Sequence, residues 1–103
     1  MEKNIKLIRL INREEIIAEV ILEGVINVLV RNPLNVIIIP SKVETGDTRV
    51  GLAPWANFSD EEEFSINTSC IVSIMKPIAQ LKEQYNQTFS KIITPKTELI
   101  IPN

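Results

Sequence analysis

Histidine is absent from this sequence, and cysteine occurs once, at Cys70. Histidine is the usual general base near neutral pH and the commonest metal ligand, so serine triads and histidine-based zinc sites are excluded. One cysteine forms neither an intrachain disulfide nor a thiolate metal cluster, which favours a reducing compartment. The three glycines, Gly24, Gly46 and Gly51, are too far apart to make a phosphate-cradling loop. We therefore expect no catalytic residues, no metal site and no cofactor.

Length and charge narrow the possibilities further. The chain has 103 residues, which suits one domain with a modest core, and it carries 11 Lys and Arg against 13 Asp and Glu. The net charge of −2 provides no general attraction to nucleic acid or membranes, so any polyanion site must be local. No apolar run is long enough for a membrane span or a signal peptide. We expect a cytoplasmic protein that does not bind membranes.

The stretch from residue 15 to residue 40, EEIIAEVILEGVINVLVRNPLNVIIIP, is crowded with isoleucine and valine. Branching at Cβ favours strands over helices. Glu23-Gly24 predicts a two-residue hairpin loop with Gly24 at positive φ. That loop would place Leu22 opposite Val25, Ile21 opposite Ile26 and Glu19 opposite Val28.

Asn32-Pro33 predicts a break in this stretch, because proline lacks a backbone donor. The run from Val36 to Ile39 then reads as a separate, short and buried strand.

Both faces of the second predicted strand, Ile16 to Leu22, are apolar, whereas a small antiparallel sheet usually keeps one face polar. The second face needs a cover, for which the candidates are curling of the sheet, a helix across it, or a neighbouring subunit.

The remaining segments complete a mainly β pattern that ends in one helix. Further strands are predicted at Ile5 to Ile11, Arg49 to Trp55, Phe64 to Ile66 and Cys70 to Met75, with a loop tip at Thr45-Gly46-Asp47. Pro77 suits the first helical position, and Ile78, Leu81, Tyr85 and Phe89 form one apolar stripe. We predict a single domain over residues 1–103, with strands over 5–75, a helix over 77–90 and an apolar tail over 91–103.

Two features invite a functional interpretation, but each has a structural alternative. The run from Ser59 to Glu63 contains carboxylates that could bind Ca²⁺ or Mg²⁺. Its Ser59 and Glu62 also have the spacing of a helix cap. A solvated loop is the more common outcome for such a run of like charges. Trp55 offers a stacking platform for a base, or an apolar contact in the core or between subunits, which we favour. Cys70, predicted on a strand, fits a small buried apolar residue.

Five features of the sequence carry a resemblance: the strand pattern, the Asn-Pro at Asn32, the segment Gly51-Leu52-Ala53-Pro54-Trp55, the acidic loop and the helix end from Gln84 to Phe89. Together they resemble a family of small uncharacterised proteins. These proteins come from cyanophages and marine metagenomes and have an Sm-like fold. The resemblance implies a strongly bent five-stranded antiparallel Sm-like small barrel with one C-terminal amphipathic helix. It also implies a homo-oligomeric ring, because free sheet edges in Sm-like subunits pair with neighbours.

The resemblance extends to the motifs of Sm and LSm proteins. Glu23-Gly24-Val25-Ile26-Asn27 has the acidic, apolar and Asn spacing of the first motif, whose Asn lies near the uridine-binding loop. Asn67-Thr68-Ser69-Cys70-Ile71 stands where the second motif usually begins with Arg-Gly, and that Arg-Gly is missing. The helix follows the strands here, whereas Sm proteins commonly place it before them.

The resemblance thus implies a non-enzymatic ring that binds RNA or single-stranded nucleic acid through pore loops, with Asn27, Asn67, Thr68 and Ser69 as the site residues. The alternative is a phage structural or adaptor ring that binds a phage or host protein and has no nucleic-acid role. A third possibility, a metal-dependent hydrolase built on the acidic loop, conflicts with the absence of histidine and of convergent carboxylates.

Overall fold

The computed structural model describes residues 3–39 and 49–90, which form an antiparallel sheet followed by one helix. Its elements are β1 (Ile5–Leu10), β2 (Glu15–Glu23), β3 (Asn27–Ile39), β4 (Arg49–Pro54), β5 (Glu63–Asn67), a 3₁₀ turn (Thr68–Cys70), β6 (Ile71–Met75) and α1 (Ala79–Ser90). The mainly β class with a C-terminal helix is confirmed. The predicted loop tip at residues 45–47 and the predicted tail at 91–103 lie outside the described residues.

Strand β3 is one continuous strand that bends at Asn32, so the predicted break at Asn32-Pro33 is wrong. Asn32 has a φ of 51°, in the left-handed region that asparagine tolerates better than most residues. The predicted buried strand from Val36 to Ile39 is the distal part of β3. Its isoleucines are exposed to 43% at Ile37, 69% at Ile38 and 43% at Ile39, because the strand here extends beyond the core.

Strands β4 and β5 together occupy the place of one interrupted strand. The first part of β3 pairs with β5, from Asn27 opposite Asn67 to Arg31 opposite Glu63, and the second part pairs with β4, from Leu34 opposite Pro54 to Ile39 opposite Arg49. Strand β2 lies along the other edge of β3. The sheet order is β4-β3-β2-β1-β6, so the six described strands follow the predicted five-stranded layout with one interruption.

The hairpin between β2 and β3 has a longer loop than the sequence suggests. Leu22 pairs with Leu29 and Glu23 with Val28, while Glu19 pairs with Arg31, so the predicted register is wrong. The Gly24 amide donates to the carbonyl oxygen of Asn27 at 2.9 Å, which closes the wider loop. Glycine is needed for this close approach and not for positive φ, because a Cβ at Gly24 would lie 2.8 Å from that oxygen.

The sheet rolls around one apolar core. Strands β5 and β6 lie near opposite ends of the sheet, yet Ile66 from β5 and Ile74 from β6 pack against the same cluster. The buried members of this cluster are Ile8, Leu10, Ile16, Ala18, Val20, Val28, Val30 and Ile66. Curling of the sheet, one of the predicted solutions, therefore covers one face of β2.

Helix α1 covers the other face of the sheet. Ile17 on β2 packs with Leu81 and Tyr85 in a second cluster, to which Phe89 adds a partly buried contact. The helix begins at Ala79, and Pro77 precedes it instead of opening it. Ile78 is 67% exposed, so the predicted stripe is correct at its last three positions and wrong at its first.

Candidate functional site

The four predicted site residues come together at one end of the sheet. Asn27 begins β3 and Asn67 ends β5, and the two residues face each other across the antiparallel pair. Opposed residues in such a pair carry their side chains on the same face. Thr68 and Ser69 follow Asn67 in the 3₁₀ turn. We refer to Asn27, Asn67, Thr68 and Ser69 as the polar rim.

Hydrogen bonds join the two loops of the polar rim into one unit. The Thr68 amide donates to the carbonyl oxygen of Ile26 at 2.7 Å, and the Thr68 hydroxyl donates to the carbonyl oxygen of Val25 at 3.0 Å. The β5–β6 connection therefore satisfies carbonyl groups of the β2–β3 loop. This also explains the longer hairpin loop, because its polar groups find their partners on another segment.

Asn67 has a structural role in the rim. Its Oδ1 accepts hydrogen bonds from the Ser69 amide at 2.9 Å and from the Ser69 hydroxyl at 2.7 Å, which caps the 3₁₀ turn. Neither its Nδ2 nor the amide group of Asn27 has a side-chain hydrogen bond to another described residue, and both side chains are exposed. The Asn27 amide group can therefore donate and accept further hydrogen bonds, and the Asn67 Nδ2 can donate them.

An apolar cavity adjoins the polar rim. Its volume is about 440 Å³, and Asn67 and Cys70 line it together with Trp55, Leu10 and Ile11. Trp55 also packs against the first core cluster and donates from Nε1 to Glu14 Oε1 at 3.1 Å. The core contact predicted for Trp55 is therefore present. Cys70 lies in the 3₁₀ turn and is half-buried, which corrects its predicted place on a buried strand.

The surface around the rim is apolar and has no basic side chain of its own. Val25 is 93% exposed and Ile26 is 65% exposed, and neither was predicted to stand in the open. Residues 24–27 and 67–70 contain no charged residue, and Glu23 is the adjoining charge on the β2 side. Because phosphate binding depends on lysine and arginine, the rim offers amide and apolar contacts instead of ionic ones. If the loop had been predicted to extend beyond Glu23-Gly24, Val25 and Ile26 would have been expected at its tip.

A family model described as an Sm_like domain matches residues 7–86, which include every described strand in whole or in part. The chain belongs to the Sm-like family. No curated protein matches the chain. The match begins within β1 and ends within α1, so the polar rim, the cavity and most of α1 all lie inside the Sm-like domain.

The acidic loop of this Sm-like domain does not form a capped helix. The Ser59 hydroxyl accepts a hydrogen bond from the Glu61 amide at 3.1 Å, a local turn that replaces the predicted capping pattern between Ser59 and Glu62. Within residues 3–39 and 49–90, no three Asp, Glu or Cys side chains are grouped to hold a metal ion. In the same part of the chain, no helix has the length and apolarity to span a membrane.

Proposed function

We propose that this Sm-like protein forms a homo-oligomeric ring and binds RNA or single-stranded nucleic acid through the polar rim. The observation that carries the proposal is the convergence of Asn27, Asn67, Thr68 and Ser69 beside an apolar cavity of about 440 Å³. Exposed amides supply base-edge hydrogen bonds, and an apolar cavity with an aromatic wall favours a base. Sm-like domains are generally binding modules, and the proposal includes no enzymatic activity.

The sheet edges support the ring. Strand β6 ends the sheet on one side, and β4 and β5 end it on the other, where each pairs only with β3 among the described residues. An unpaired edge is a template for a strand of another copy. Val72 on β6 is 60% exposed, so pairing at this edge would also cover apolar surface. One copy therefore offers two complementary edges, as head-to-tail closure requires.

Light-scattering mass on the purified protein tests the ring. We expect a mass several times that of the 11.7 kDa chain. Val72→Lys, which puts a charge beside the edge, should shift the mass toward that of one subunit. Ile78→Lys is the matched control, because Ile78 is similarly exposed, at 67%, but lies outside the sheet. A wild-type protein that has the mass of one subunit at micromolar concentration would refute the proposed ring.

Fluorescence anisotropy with labelled oligo-U, oligo-A and single-stranded DNA tests nucleic-acid binding. Asn27→Ala should weaken binding by about 5-fold or more, since one good base contact contributes about 1–3 kcal/mol. Asn86→Ala on the exposed face of α1 is the control and should leave binding unchanged. Because the rim lacks basic residues, we expect a shallow salt dependence. No binding to any of the three oligonucleotides at low salt would refute this function.

A second candidate function is a structural or adaptor ring that holds a protein partner in a phage-infected host. The exposed Val25 and Ile26 at the rim, together with its lack of positive charge, favour a protein over a polyanion. The resemblance to cyanophage proteins and a location in the host cytoplasm belong to this proposal. The test is to capture partners from infected lysate with this protein. A bound protein that remains after nuclease treatment, and that the Val25→Asp variant no longer captures, would support this function.

A further inference from the structure

The interruption between β4 and β5 forms a second cavity, which shares Trp55 with the cavity beside the polar rim but has no rim residue in its lining. Residues 55–62 leave the sheet opposite the bend of β3, and Asn32 donates from its amide to the carbonyl oxygen of Glu62 at 2.8 Å. The Trp55 amide donates to the carbonyl oxygen of Pro33 at 3.3 Å. These two bonds hold the loop against the bend. The cavity beside them has a volume of about 270 Å³.

Three aromatic rings line this cavity, which we call the aromatic cavity. Trp55, Phe64 and Phe89 line it, and they come from the end of β4, from β5 and from α1. The rings of Trp55 and Phe64 stand at 81° with centroids 5.8 Å apart, so they form two adjacent walls. The other apolar residues of the lining are Pro33, Leu34, Pro54 and Ala56.

The charged residue in the lining of the aromatic cavity is acidic. Glu61 lines it, with Asp60 and Glu62 on either side in the chain, whereas Glu63 is paired with Arg31. The other polar lining groups are neutral, at Asn32, Asn57 and Ser59. A cation held near aromatic faces interacts with their negative quadrupole, and a carboxylate at the entrance adds a direct charge interaction.

We propose that the aromatic cavity binds an alkylated ammonium group. The combination of perpendicular aromatic walls, an acidic entrance and a volume suited to a small group fits a cation with an apolar surface. Two sources supply that chemistry: a small quaternary ammonium compound, and a methylated lysine side chain of a protein. The proposal does not rest on the ring or on nucleic-acid binding, although Trp55 lines both cavities.

The same features disfavour two other occupants of aromatic sites. A nucleotide would bring phosphate toward Glu61 and its acidic neighbours, where like charges repel. A proline-rich peptide uses aromatic grooves without needing a charge, so it does not account for the acidic entrance. Charge dependence therefore separates the proposal from both alternatives.

Trp55 is the only tryptophan in the chain, and it lines both the aromatic cavity and the cavity beside the polar rim, so its fluorescence reports binding at either one. We would titrate the full-length protein with choline and, separately, with its neutral isostere in which carbon replaces the quaternary nitrogen. Choline should bind at least about 5-fold more tightly, the effect expected of a desolvated cation–π contact. A trimethyl-lysine peptide, compared with its unmodified form, then distinguishes a protein source from a small molecule.

Glu61→Gln and Glu62→Gln form a matched pair of variants. Both side chains are exposed and the charge change is identical, but Glu61 lines the aromatic cavity and Glu62 does not. Glu61→Gln should weaken choline binding by about 3-fold or more, and Glu62→Gln by less than about 2-fold, since charge effects fall with distance. Equal binding of choline and its isostere, or no fluorescence change with choline or the trimethyl-lysine peptide, would overturn the proposal.

Discussion

The Tyr85 hydroxyl donates a hydrogen bond of 2.9 Å to the backbone carbonyl oxygen of Asn32, which joins α1 to the bend of β3. The same hydroxyl lies 3.1 Å from the carbonyl oxygen of Arg31. Tyr85 is only 2% exposed, so these carbonyls and the hydroxyl satisfy each other away from water. This hydrogen bond holds Asn32, the left-handed residue at the bend of β3. The bend in turn shapes the aromatic cavity.

Tyr85→Phe should lower the free energy of unfolding by about 1–2 kcal/mol, because it removes the donor for two backbone carbonyl oxygens while keeping the ring. Urea unfolding followed by circular dichroism measures the change. Gln87→Ala on the exposed face of α1 serves as the control, with an expected effect below about 0.5 kcal/mol. Equal stability of Tyr85→Phe and wild type would show that the hydroxyl is not needed at the bend.

Stability should fall at alkaline pH because of Tyr85. Burial, reinforced by the nearby Glu19 carboxylate, raises the pKa of Tyr85 well above its ordinary value. A group whose pKa is raised on folding contributes fully below its unfolded pKa, about 10 for tyrosine, and loses that contribution as pH rises toward the folded value. Above about pH 10, wild type should therefore lose stability more steeply than Tyr85→Phe.

The tyrosinate absorbance measures this titration without ambiguity, because Tyr85 is the only tyrosine in the chain. In the folded protein it should stay protonated to a higher pH than in urea-unfolded protein. Titration at the same pH in both states would contradict the predicted pKa direction. In the stability measurements, comparison with Tyr85→Phe removes the contribution of lysines that titrate in the same range.

Gly24→Ala should destabilise the protein more than Gly51→Ala does. At Gly24 the new Cβ would lie 2.8 Å from a backbone carbonyl oxygen, whereas at Gly51 it would meet Cδ1 of the Ile39 side chain at 3.0 Å. Backbone moves less readily than the end of a side chain, so we expect a loss of about 1–2 kcal/mol at Gly24 and less than half of that at Gly51. Equal losses in chemical unfolding would argue against a close approach in the loop.

Asn67 variants separate a capping role from a binding role. Asn67→Ala removes the acceptor for the Ser69 amide and should cost about 1 kcal/mol of unfolding free energy. Asn67→Asp keeps the acceptor and should retain stability, but it introduces a negative charge at the rim and should weaken oligonucleotide binding by about 5-fold or more at low salt. Unchanged binding in Asn67→Asp would leave Asn67 with its capping role alone.

Local pattern was sufficient to predict much of this fold. Alternation in Ile16 to Leu22 indicated two apolar faces, which are buried as far as Val20, although Ile21 and Leu22 beyond it are exposed. The spacing of Leu81, Tyr85 and Phe89 indicated the helix face that packs. These predictions succeeded because they depend on the periods of strands and helices, which a short window contains. The Asn27 and Asn67 pair was inferred from a motif resemblance, and the structure places the two residues opposite each other.

Other features depend on contacts between distant segments, which no short window contains. The β2–β3 loop is wide because Thr68 supplies a donor to Ile26, and the bend at Asn32 persists because Tyr85 and Glu62 bond to its backbone. The aromatic cavity arises for the same reason, since Trp55, Phe64 and Phe89 meet only after the sheet bends and α1 packs. Sequence alone determined the strand-rich class, the helix face and the absence of histidine chemistry. Tertiary structure decided the loop register, the continuity of β3 and both cavities, because partners far apart in the chain satisfy the backbone groups there.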